Sequence, residues 1–381
     1  MNPDRDLTIL LTLKDRADYT FRWLAYAQQT RLPFKVLIAD GGADEKVAAM
    51  LSGRARFPDV DIEYLRYPED TSYPLYFAKI EDALRRVSTP FVAMADNDDF
   101  LVAETLRRAV RFLVANPAYA ACGGQGALFW VVPGAARDDA EFLYGPRVDM
   151  KCTSLVRSNE AESASERLRS LPISTADPLF YDVKRIEDAR HQFETVRRLD
   201  LSDLFLVEYL VHYLTVIAGK TMRFDGLFLA RQHNAPGSSG VEHQRRYGDW
   251  LGRMLVDSWS GDFAKFVNAA AEALAVADRL GLADARDKVV EAYRAQVAPA
   301  LLSDLLEERT VTLPMLAVLP AVRRLVNLPE GSLLRRSLRR IYRRVSWISL
   351  DAVLGTEIFA KTTKVAERDF GAIREFLGKS P

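Results

Sequence analysis

The chain has 381 residues, 49% of them hydrophobic, which is enough for about two or three domains with a substantial core. Lys and Arg together number 52, as do Asp and Glu, so the chain has no overall positive field for nucleic acid, and we expect no nucleic-acid partner. The only two cysteines, Cys122 and Cys152, exclude a disulfide framework and a four-cysteine zinc site. The first residues do not resemble a signal peptide, and no uncharged apolar stretch reaches the roughly 18 residues of a transmembrane helix. We therefore expect a cytoplasmic protein.

The first hundred residues alternate short apolar runs with amphipathic segments. The predicted strands are residues 7–13, 34–39, 61–66 and 90–95, and the predicted helices between them are residues 19–29, 43–51 and 76–87. This order predicts an α/β fold with a mostly parallel sheet and helices on both faces. In open sheets of this kind, ligands bind at the carboxyl ends of the strands.

The predicted secondary structure changes near residue 238, from mixed strands and helices to helices. Gly123-Gly124-Gln125-Gly126 precedes a predicted strand at 127–132, but it does not open a helix, so dinucleotide binding is not indicated. Residues 138–169 are polar and predict loops and short helices; an apolar helix at 204–217 and a strand at 227–230 follow. Turn residues at 235–240 end this region, and the later patterns are helical. We predict an α/β domain at 1–238 and a helical domain at 239–381.

An acidic turn, Asp96-Asn97-Asp98-Asp99, directly follows the fourth predicted strand. Three neighbouring carboxylates repel one another and suit a hard cation, which takes oxygen ligands and keeps positions for water and substrate phosphates. Lys14-Asp15-Arg16 and Asp40 follow the first and second strands. Because these strand ends share one edge of the sheet, the sequence predicts a metal–diphosphate site there. A solvated acidic turn is the alternative.

These motifs resemble those of the GT-A fold nucleotide-sugar glycosyltransferases, in particular the inverting enzymes of family 2. The resemblance covers about residues 5–240 and leaves out the helical tail. The motifs that carry it are Thr12-Leu13-Lys14-Asp15-Arg16, Ile38-Ala39-Asp40-Gly41-Gly42, Thr89-Pro90-Phe91-Val92 running into the acidic turn, and Arg231-Gln232-His233-Asn234. The resemblance implies a Rossmann-like sheet, a D-x-D metal motif that binds Mn²⁺ or Mg²⁺, and a nucleoside-diphosphate sugar donor, with UDP favoured over GDP.

Roles for individual residues follow from the motifs and from residue chemistry. We expect metal ligation by Asp96, Asp98 and His233. We expect donor binding by Thr12, Lys14, Arg16, Asp40, Lys79, Asp96, Asn97 and Arg231. Arg16 can contact a diphosphate in a bidentate way, whereas Lys79 would act as a point charge. For Asp40, a turn closed by its own side chain is the competing interpretation.

Inversion requires a base that accepts the proton of the acceptor hydroxyl group. Asp203, at the start of the apolar helix, is our choice, with Asp200 and Glu208 as alternatives. Ser202 and Asp203 are also ordinary residues for a helix N-terminus. The aromatic side chains of Phe180, Tyr181 and Trp130 suit sugar rings in an acceptor pocket; the alternative is that they belong to the core.

Residues 333–345 place arginines between apolar residues at helical spacing. This predicts a basic amphipathic helix, Arg335–Arg344, that can lie on an anionic membrane surface. Such contact would place the protein peripherally on the inner face of the cell membrane. A bundle helix with a solvated arginine face, or a subunit contact, is the alternative.

Taken together, these features predict a metal-dependent inverting glycosyltransferase that acts on a glycan or lipid-linked acceptor in surface polysaccharide synthesis. A sugar nucleotidyltransferase is one alternative, although the loop after the first strand lacks the glycines usual in that class. The other alternative is a non-catalytic, glycosyltransferase-like assembly protein.

Overall fold

The computed structural model describes residues 2–52, 56–133, 142–153, 157–171, 178–237 and 250–308, residues 362–379, and residues 243, 245 and 248. Its strands are β1 (Leu7–Leu13), β2 (Lys35–Asp40), β3 (Ile62–Arg66), β4 (Phe91–Asp96), β5 (Phe100–Leu101), β6 (Tyr119–Val132), β7 (Arg147–Cys152), β8 (Val183–Arg185) and β9 (Lys220–Gln232). Its helices are α1 (Pro3–Asp6), α2 (Ala17–Gln29), α3 (Lys46–Ser52), α4 (Tyr73–Arg86), α5 (Ala103–Ala115), α6 (Ala164–Arg169), α7 (Ile186–Leu199), α8 (Leu204–Ala218), α9 (Trp250–Met254), α10 (Trp259–Asp278), α11 (Leu282–Glu308) and α12 (Lys364–Gly378), with a short 3₁₀ helix at Pro178–Phe180.

Within the described residues the strands form one nine-stranded sheet in the order β3-β2-β1-β4-β8-β6-β9-β5, and β7 pairs with β6 outside this path. Strands β1 to β4 are parallel. Strand β8 runs antiparallel to both β4 and β6, so β6 and its parallel partner β9 share the direction of the first four strands. All seven residues of β1 are buried, so both faces of the sheet are covered. The predicted fold class, a mostly parallel α/β sheet, is confirmed.

Strands β1 to β4 lie within one residue of their predicted positions, but β6 begins earlier than predicted and contains the glycine segment. A Cβ atom on Gly124 would lie 2.3 Å from the carbonyl oxygen of Gly226 on β9, and one on Gly123 would lie 2.2 Å from Asp182. The glycines therefore allow the close approach of two long strands across an irregular register. Strand β7, which alternates exposed and buried residues, was not predicted.

The described part of residues 239–381 packs onto the α/β core in two separate places. Helix α10 packs on α8, and α11 packs on α10, with Phe266 and Tyr293 buried in the main core. Helix α12 instead packs against β7 and β9. The domain boundary at residue 238 stays a prediction. The basic segment at 333–345 lies outside the described residues.

Helix α12 completes a second apolar cluster directly behind the acidic turn. Phe100, which follows Asp99, is fully buried there, and its ring centroid lies 6.2 Å from that of Phe376 on α12. Tyr26 on α2 contacts both rings, with centroid distances of 4.8 and 5.3 Å. A distant segment of the chain thus supports the residue that anchors the acidic turn.

None of the helices that the structure describes combines the length and the apolar character needed to cross a membrane.

Candidate functional site

The structure brings the carboxyl ends of the first, second and fourth strands together. In the sheet register, Leu13 at the end of β1 is paired with Asp40 at the end of β2, and Thr12 is paired with Asp96 at the end of β4. The acidic turn, the β1–α2 loop and Asp40 therefore lie at one edge of the sheet, where open α/β sheets bind ligands.

Asp96 is half-buried, and hydroxyl groups rather than cations hold its carboxylate. Oδ1 accepts a hydrogen bond from Thr12 Oγ1 at 3.2 Å, and Oδ2 accepts one from the Tyr181 hydroxyl at 2.7 Å. Burial and the neighbouring carboxylate of Asp98 raise the pKa of Asp96. Asp96 is thus a carboxylate that lacks a directly bound cationic partner among the described residues.

Asp98 differs from Asp96, because it already has a cationic partner. Arg16 Nη1 donates to Asp98 Oδ2 at 2.9 Å, and Arg16 Nη2 donates to Asn97 Oδ1 at 2.8 Å. Burial opposes ionisation of Asp98, but the Arg16 guanidinium outweighs it and lowers the pKa of this carboxyl. The guanidinium of Arg16 therefore bridges two residues of the acidic turn.

Asn97 hydrogen-bonds the acidic turn to the β1–α2 loop and to the start of α2. Asp15 and Arg16 both adopt left-handed backbone conformations, with φ values of 58° and 54°, which cost non-glycine residues about 1–2 kcal/mol each. The Asn97 amide nitrogen donates to Thr20 Oγ1 at 3.1 Å and to the Arg16 carbonyl oxygen at 3.3 Å. Asn97 is buried and its amide is used by protein groups. The structure therefore shows Asn97 supporting Arg16, and its direct contact with the donor stays a prediction.

Arg231, on β9, contacts the acidic turn through Asp99. Its Nε atom donates to Asp99 Oδ2 at 3.1 Å, and the backbone N–H of Gln232 donates to Asp99 Oδ1 at 3.2 Å. Burial raises the pKa of Asp99, and the Arg231 guanidinium opposes that shift. Its Nη atoms hydrogen-bond no described residue, and one third of the side chain is exposed. They are therefore available to an anionic ligand.

The side-chain oxygens at this edge of the sheet fit a divalent cation only if most ligands of the cation come from substrate and water. Within the described ranges, no three His, Cys, Asp or Glu side chains converge as a metal-binding group. Asp96 and Asp98 remain as two candidate carboxylate ligands, and one or two carboxylates commonly bind Mg²⁺ beside substrate phosphates. The predicted third ligand, His233, forms no such group with them among the described residues. Its backbone N–H donates to the Phe129 carbonyl oxygen, and its ring centroid lies 5.1 Å from that of Trp130.

Asp40 is buried, and three protein groups occupy its carboxylate. Its Oδ1 atom accepts the backbone N–H of Gly42 at 2.9 Å, which is the turn considered as the alternative from sequence. Its Oδ2 atom accepts from the Tyr64 hydroxyl at 2.6 Å and lies 3.1 Å from Arg66 Nη1. These partners account for the side chain without a nucleoside.

Lys79 is buried with its charge neutralised inside the protein. Its ammonium group forms an ion pair with Asp70 and donates to the Leu13 carbonyl oxygen at 2.6 Å. The side chains of Lys79 and Asp70 are 1% and 2% exposed. The predicted contact between Lys79 and a diphosphate therefore has no support in this geometry, whereas Lys14 is exposed at the same strand end.

Asp203, the predicted base, lies at the N-terminus of α8 as a helix cap. Its Oδ1 atom accepts the N–H of Leu206 at 2.9 Å, and Oδ2 lies 3.5 Å from Arg253 Nε and 3.6 Å from His243 Nε2. Burial favours a higher pKa for Asp203, but His243 and Arg253 outweigh it and lower the pKa of this carboxyl. Asp200, an alternative base, ends α7 in a left-handed conformation and is exposed.

Glu208, the other alternative, lies one helical turn further along α8 and belongs electrostatically to the site. Burial raises its pKa to about 7; Arg231 opposes this shift, and Asp96 adds to it. The residue remains half-buried, and no described residue hydrogen-bonds its carboxylate. Glu208 is thus a carboxylate without a described hydrogen-bond partner, and its ionisation responds to Asp96 and Arg231.

Two site residues were not recognised as such from the sequence. Arg22, fully buried on α2, donates to the Asp98 carbonyl oxygen at 3.2 Å and to Gln232 Oε1 at 2.6 Å, linking the acidic turn to β9. Tyr181 was expected near the acceptor, yet its hydroxyl holds Asp96. An arginine between Tyr19 and Trp23 on the inward side of a predicted helix was the available signal for Arg22.

No protein-family model matches the chain, and no curated protein matches it in sequence. Among solved structures, it is similar to TarS of S. aureus. For TarS residues 1–349 in complex with UDP-GlcNAc, the identity is 12%, the TM-score is 0.39, and the match covers 76% of this chain and 90% of that one. For the longer TarS structure the TM-score is 0.38 at 12% identity, and the match again covers 76% of this chain but only 54% of that one, about half its length.

A second similar structure is the mannosyltransferase PcManGT from Pyrobaculum calidifontis, in complex with GDP-Man and Mn²⁺. The identity is 15%, the TM-score is 0.41, and the match covers 84% of each chain.

Proposed function

We propose that this protein is a metal-dependent, inverting glycosyltransferase that moves a sugar from a nucleoside diphosphate to a glycan or lipid-linked acceptor. One observation supports this most directly: the acidic turn that begins with Asp96 at the end of β4 pairs with two guanidinium groups, Arg16 through Asp98 and Arg231 through Asp99. Carboxylates hold the cation and guanidinium groups hold phosphate oxygens, so the set suits a metal–diphosphate.

In this proposal, the residues at the sheet edge bind and orient the donor. Arg231 directs its Nη atoms at the diphosphate, and Lys14 contributes an exposed charge at the end of β1. Thr12 and Tyr181 orient Asp96, and Asn97 holds Arg16 in place. Lys79 and Asp40 shape the edge through protein contacts and do not touch the donor.

A Mn²⁺ or Mg²⁺ ion bound by Asp96 and Asp98 would neutralise charge on the leaving diphosphate. Arg16 donates to Oδ2 of Asp98, so Oδ1 of that carboxylate would remain for the ion. The Arg16 guanidinium would compete electrostatically with a cation bound there. It would also add positive charge for the diphosphate oxygens.

A thermal-shift screen of UDP, GDP and other nucleoside diphosphates, with and without Mn²⁺, tests this function. We expect one nucleotide to stabilise the protein in a Mn²⁺-dependent way, and Asp98→Ala to abolish that shift. Asp149→Ala is the matched control, because Asp149 is an exposed carboxylate on β7 that pairs with Arg147 away from the acidic turn. This control retains the shift.

The outcomes separate the candidate functions. No metal-dependent response to any nucleotide would refute the proposal and favour a non-catalytic assembly protein. A response to nucleoside triphosphates together with sugar phosphates, and not to diphosphates, would favour a nucleotidyltransferase. UDP remains the favoured nucleotide, and membrane contact through Arg335–Arg344 remains a prediction about residues outside those described.

A further inference from the structure

We propose that Glu208, and not Asp203, is the base that takes the proton from the hydroxyl group attacking the donor sugar. This inference rests on the transfer reaction proposed above and assigns one of its catalytic residues. The two carboxylates belong to the same helix, α8, but their contacts differ.

The contacts of Asp203 are those of a structural residue. One of its oxygen atoms caps the helix through the N–H of Leu206, and the other faces Arg253 and His243. Its side chain is only 9% exposed. An acid in this position has few free lone pairs to offer a substrate, and the neighbouring positive charge makes it a weaker proton acceptor.

The contacts of Glu208 leave its carboxylate available. No described residue donates a hydrogen bond to it or pairs with it, and it is half-buried rather than enclosed. Its helix packs against β9, which carries Arg231, and against the 3₁₀ helix that precedes Tyr181, the partner of Asp96. Arg231 and Asp96, the residues assigned to the diphosphate and the metal, also influence its ionisation. A half-buried carboxylate without a described protein partner, on a helix that packs beside the donor residues, is what a substrate hydroxyl requires.

The reaction step balances without any further reactant. The acceptor oxygen forms a bond to the anomeric carbon while the bond from that carbon to the diphosphate oxygen breaks. The diphosphate leaves with the electron pair of the broken bond. The hydroxyl proton passes to a Glu208 carboxylate oxygen, which later returns it to solvent.

The pH dependence of the step follows from the groups that interact electrostatically with Glu208. They are Asp96 on β4, Arg231 on β9, Tyr76 on α4, Tyr181 after the 3₁₀ helix, Arg253 on α9, and Asp203 and Tyr209 on its own helix. Burial raises the Glu208 pKa to about 7, so the ionised, active base is lost as the pH falls below that value. The turnover rate is then expected to fall about tenfold for each pH unit below 7.

The experiment compares Glu208→Gln, Glu208→Asp and Asp203→Asn in the full chain. Release of nucleoside diphosphate is measured with a panel of UDP- and GDP-linked hexoses and Mn²⁺, with water as the acceptor. Nucleotide binding and melting temperature are measured on the same samples. Glu194→Gln is the matched control, because Glu194 is an exposed acid on α7.

We expect Glu208→Gln to bind nucleotide within about twofold of wild type and to lose release at least about 100-fold at pH 8. Glu208→Asp restores part of the rate. Asp203→Asn melts at a lower temperature but retains the pH profile and, per folded molecule, a rate within about threefold of wild type. Glu194→Gln changes none of these quantities.

Three results would overturn the inference. The first is loss of release by Asp203→Asn with nucleotide binding intact, while Glu208→Gln stays active. The second is retention of release by both variants, which places the base elsewhere. The third is a wild-type rate of release that does not fall as the pH is lowered below 7, which removes Glu208 as the titrating base. Failure of nucleotide binding itself refutes the proposed function instead, so the two failures are distinct.

Discussion

Replacing Lys79 with methionine should destabilise the protein without removing a donor contact. The Lys79 ammonium is 1% exposed and neutralises Asp70, which is 2% exposed, so the variant leaves a buried carboxylate and the Leu13 carbonyl oxygen without their donor. Removing one partner of a buried ion pair typically costs about 3–5 kcal/mol in the free energy of unfolding. We expect a loss of this size in urea denaturation followed by tryptophan fluorescence at pH 8.

The same variant should show a defined pH dependence. An unpartnered, buried Asp70 takes up a proton in the folded state, so its folded-state pKa lies above its unfolded value of about 4. A raised pKa stabilises the folded state at low pH, and that stabilisation is lost as the pH rises. The destabilisation by Lys79→Met is therefore smaller at pH 5 than at pH 8.

Lys35→Met is the matched control, because Lys35 forms an ion pair with Glu63 between two strands at the surface, with side chains 30% and 39% exposed. Such a pair contributes less than about 1 kcal/mol. Equal effects of the two substitutions would refute the burial argument. Loss of nucleotide binding by Lys79→Met at unchanged stability would instead restore the original expectation that Lys79 contacts the donor.

Three further predictions concern the acidic turn. Phe376→Ala should lower the free energy of unfolding by about 3–5 kcal/mol, measured by urea denaturation. It should also weaken nucleotide binding, because Phe100 loses a packing partner. Unchanged binding would show that the acidic turn does not need this support. Arg16→Gln should raise the affinity for Mn²⁺ alone by about tenfold, because a competing positive charge beside Asp98 is removed, and weaken UDP binding in the presence of Mn²⁺, both measured by calorimetry. An unaltered Mn²⁺ affinity would contradict this electrostatic competition. Asn97→Ala should lower the free energy of unfolding by about 1–3 kcal/mol, measured by urea denaturation, because the two left-handed residues of the β1–α2 loop lose their hydrogen bonds to Asn97. A neutral effect would contradict that role.

The part of the fold that could be predicted from sequence is the part encoded locally. Strands β1, β2 and β4 are apolar runs ended by polar residues, and such runs predict buried parallel strands whose ends meet at one edge. Strand β7 also had a local signal, the strict alternation of Arg147-Val148-Asp149-Met150-Lys151-Cys152, but it lies inside a polar region that predicts loops as a whole.

The partners of charged side chains could not be predicted, because they depend on residues far apart in the chain. Lys79 falls at the edge of an apolar helix face, which is typical of a lysine beside a cleft. Its burial depends on Asp70 after β3 and on the end of β1, and no spacing within α4 encodes that contact. Asp203 shows the same limit: one pattern predicts a helix cap and a base alike, and only the positions of Arg253 and His243 separate them.

The position of α12 has a consequence for the order in which this protein matures. Because Phe376 packs against Phe100 behind the acidic turn, a nascent chain that has already folded its first four strands lacks this support until α12 has been synthesised. Contacts between segments far apart in the sequence form more slowly than local ones. Nucleotide capture should therefore follow the docking of α12, and proteolytic trimming of this helix would weaken the donor site from a distance.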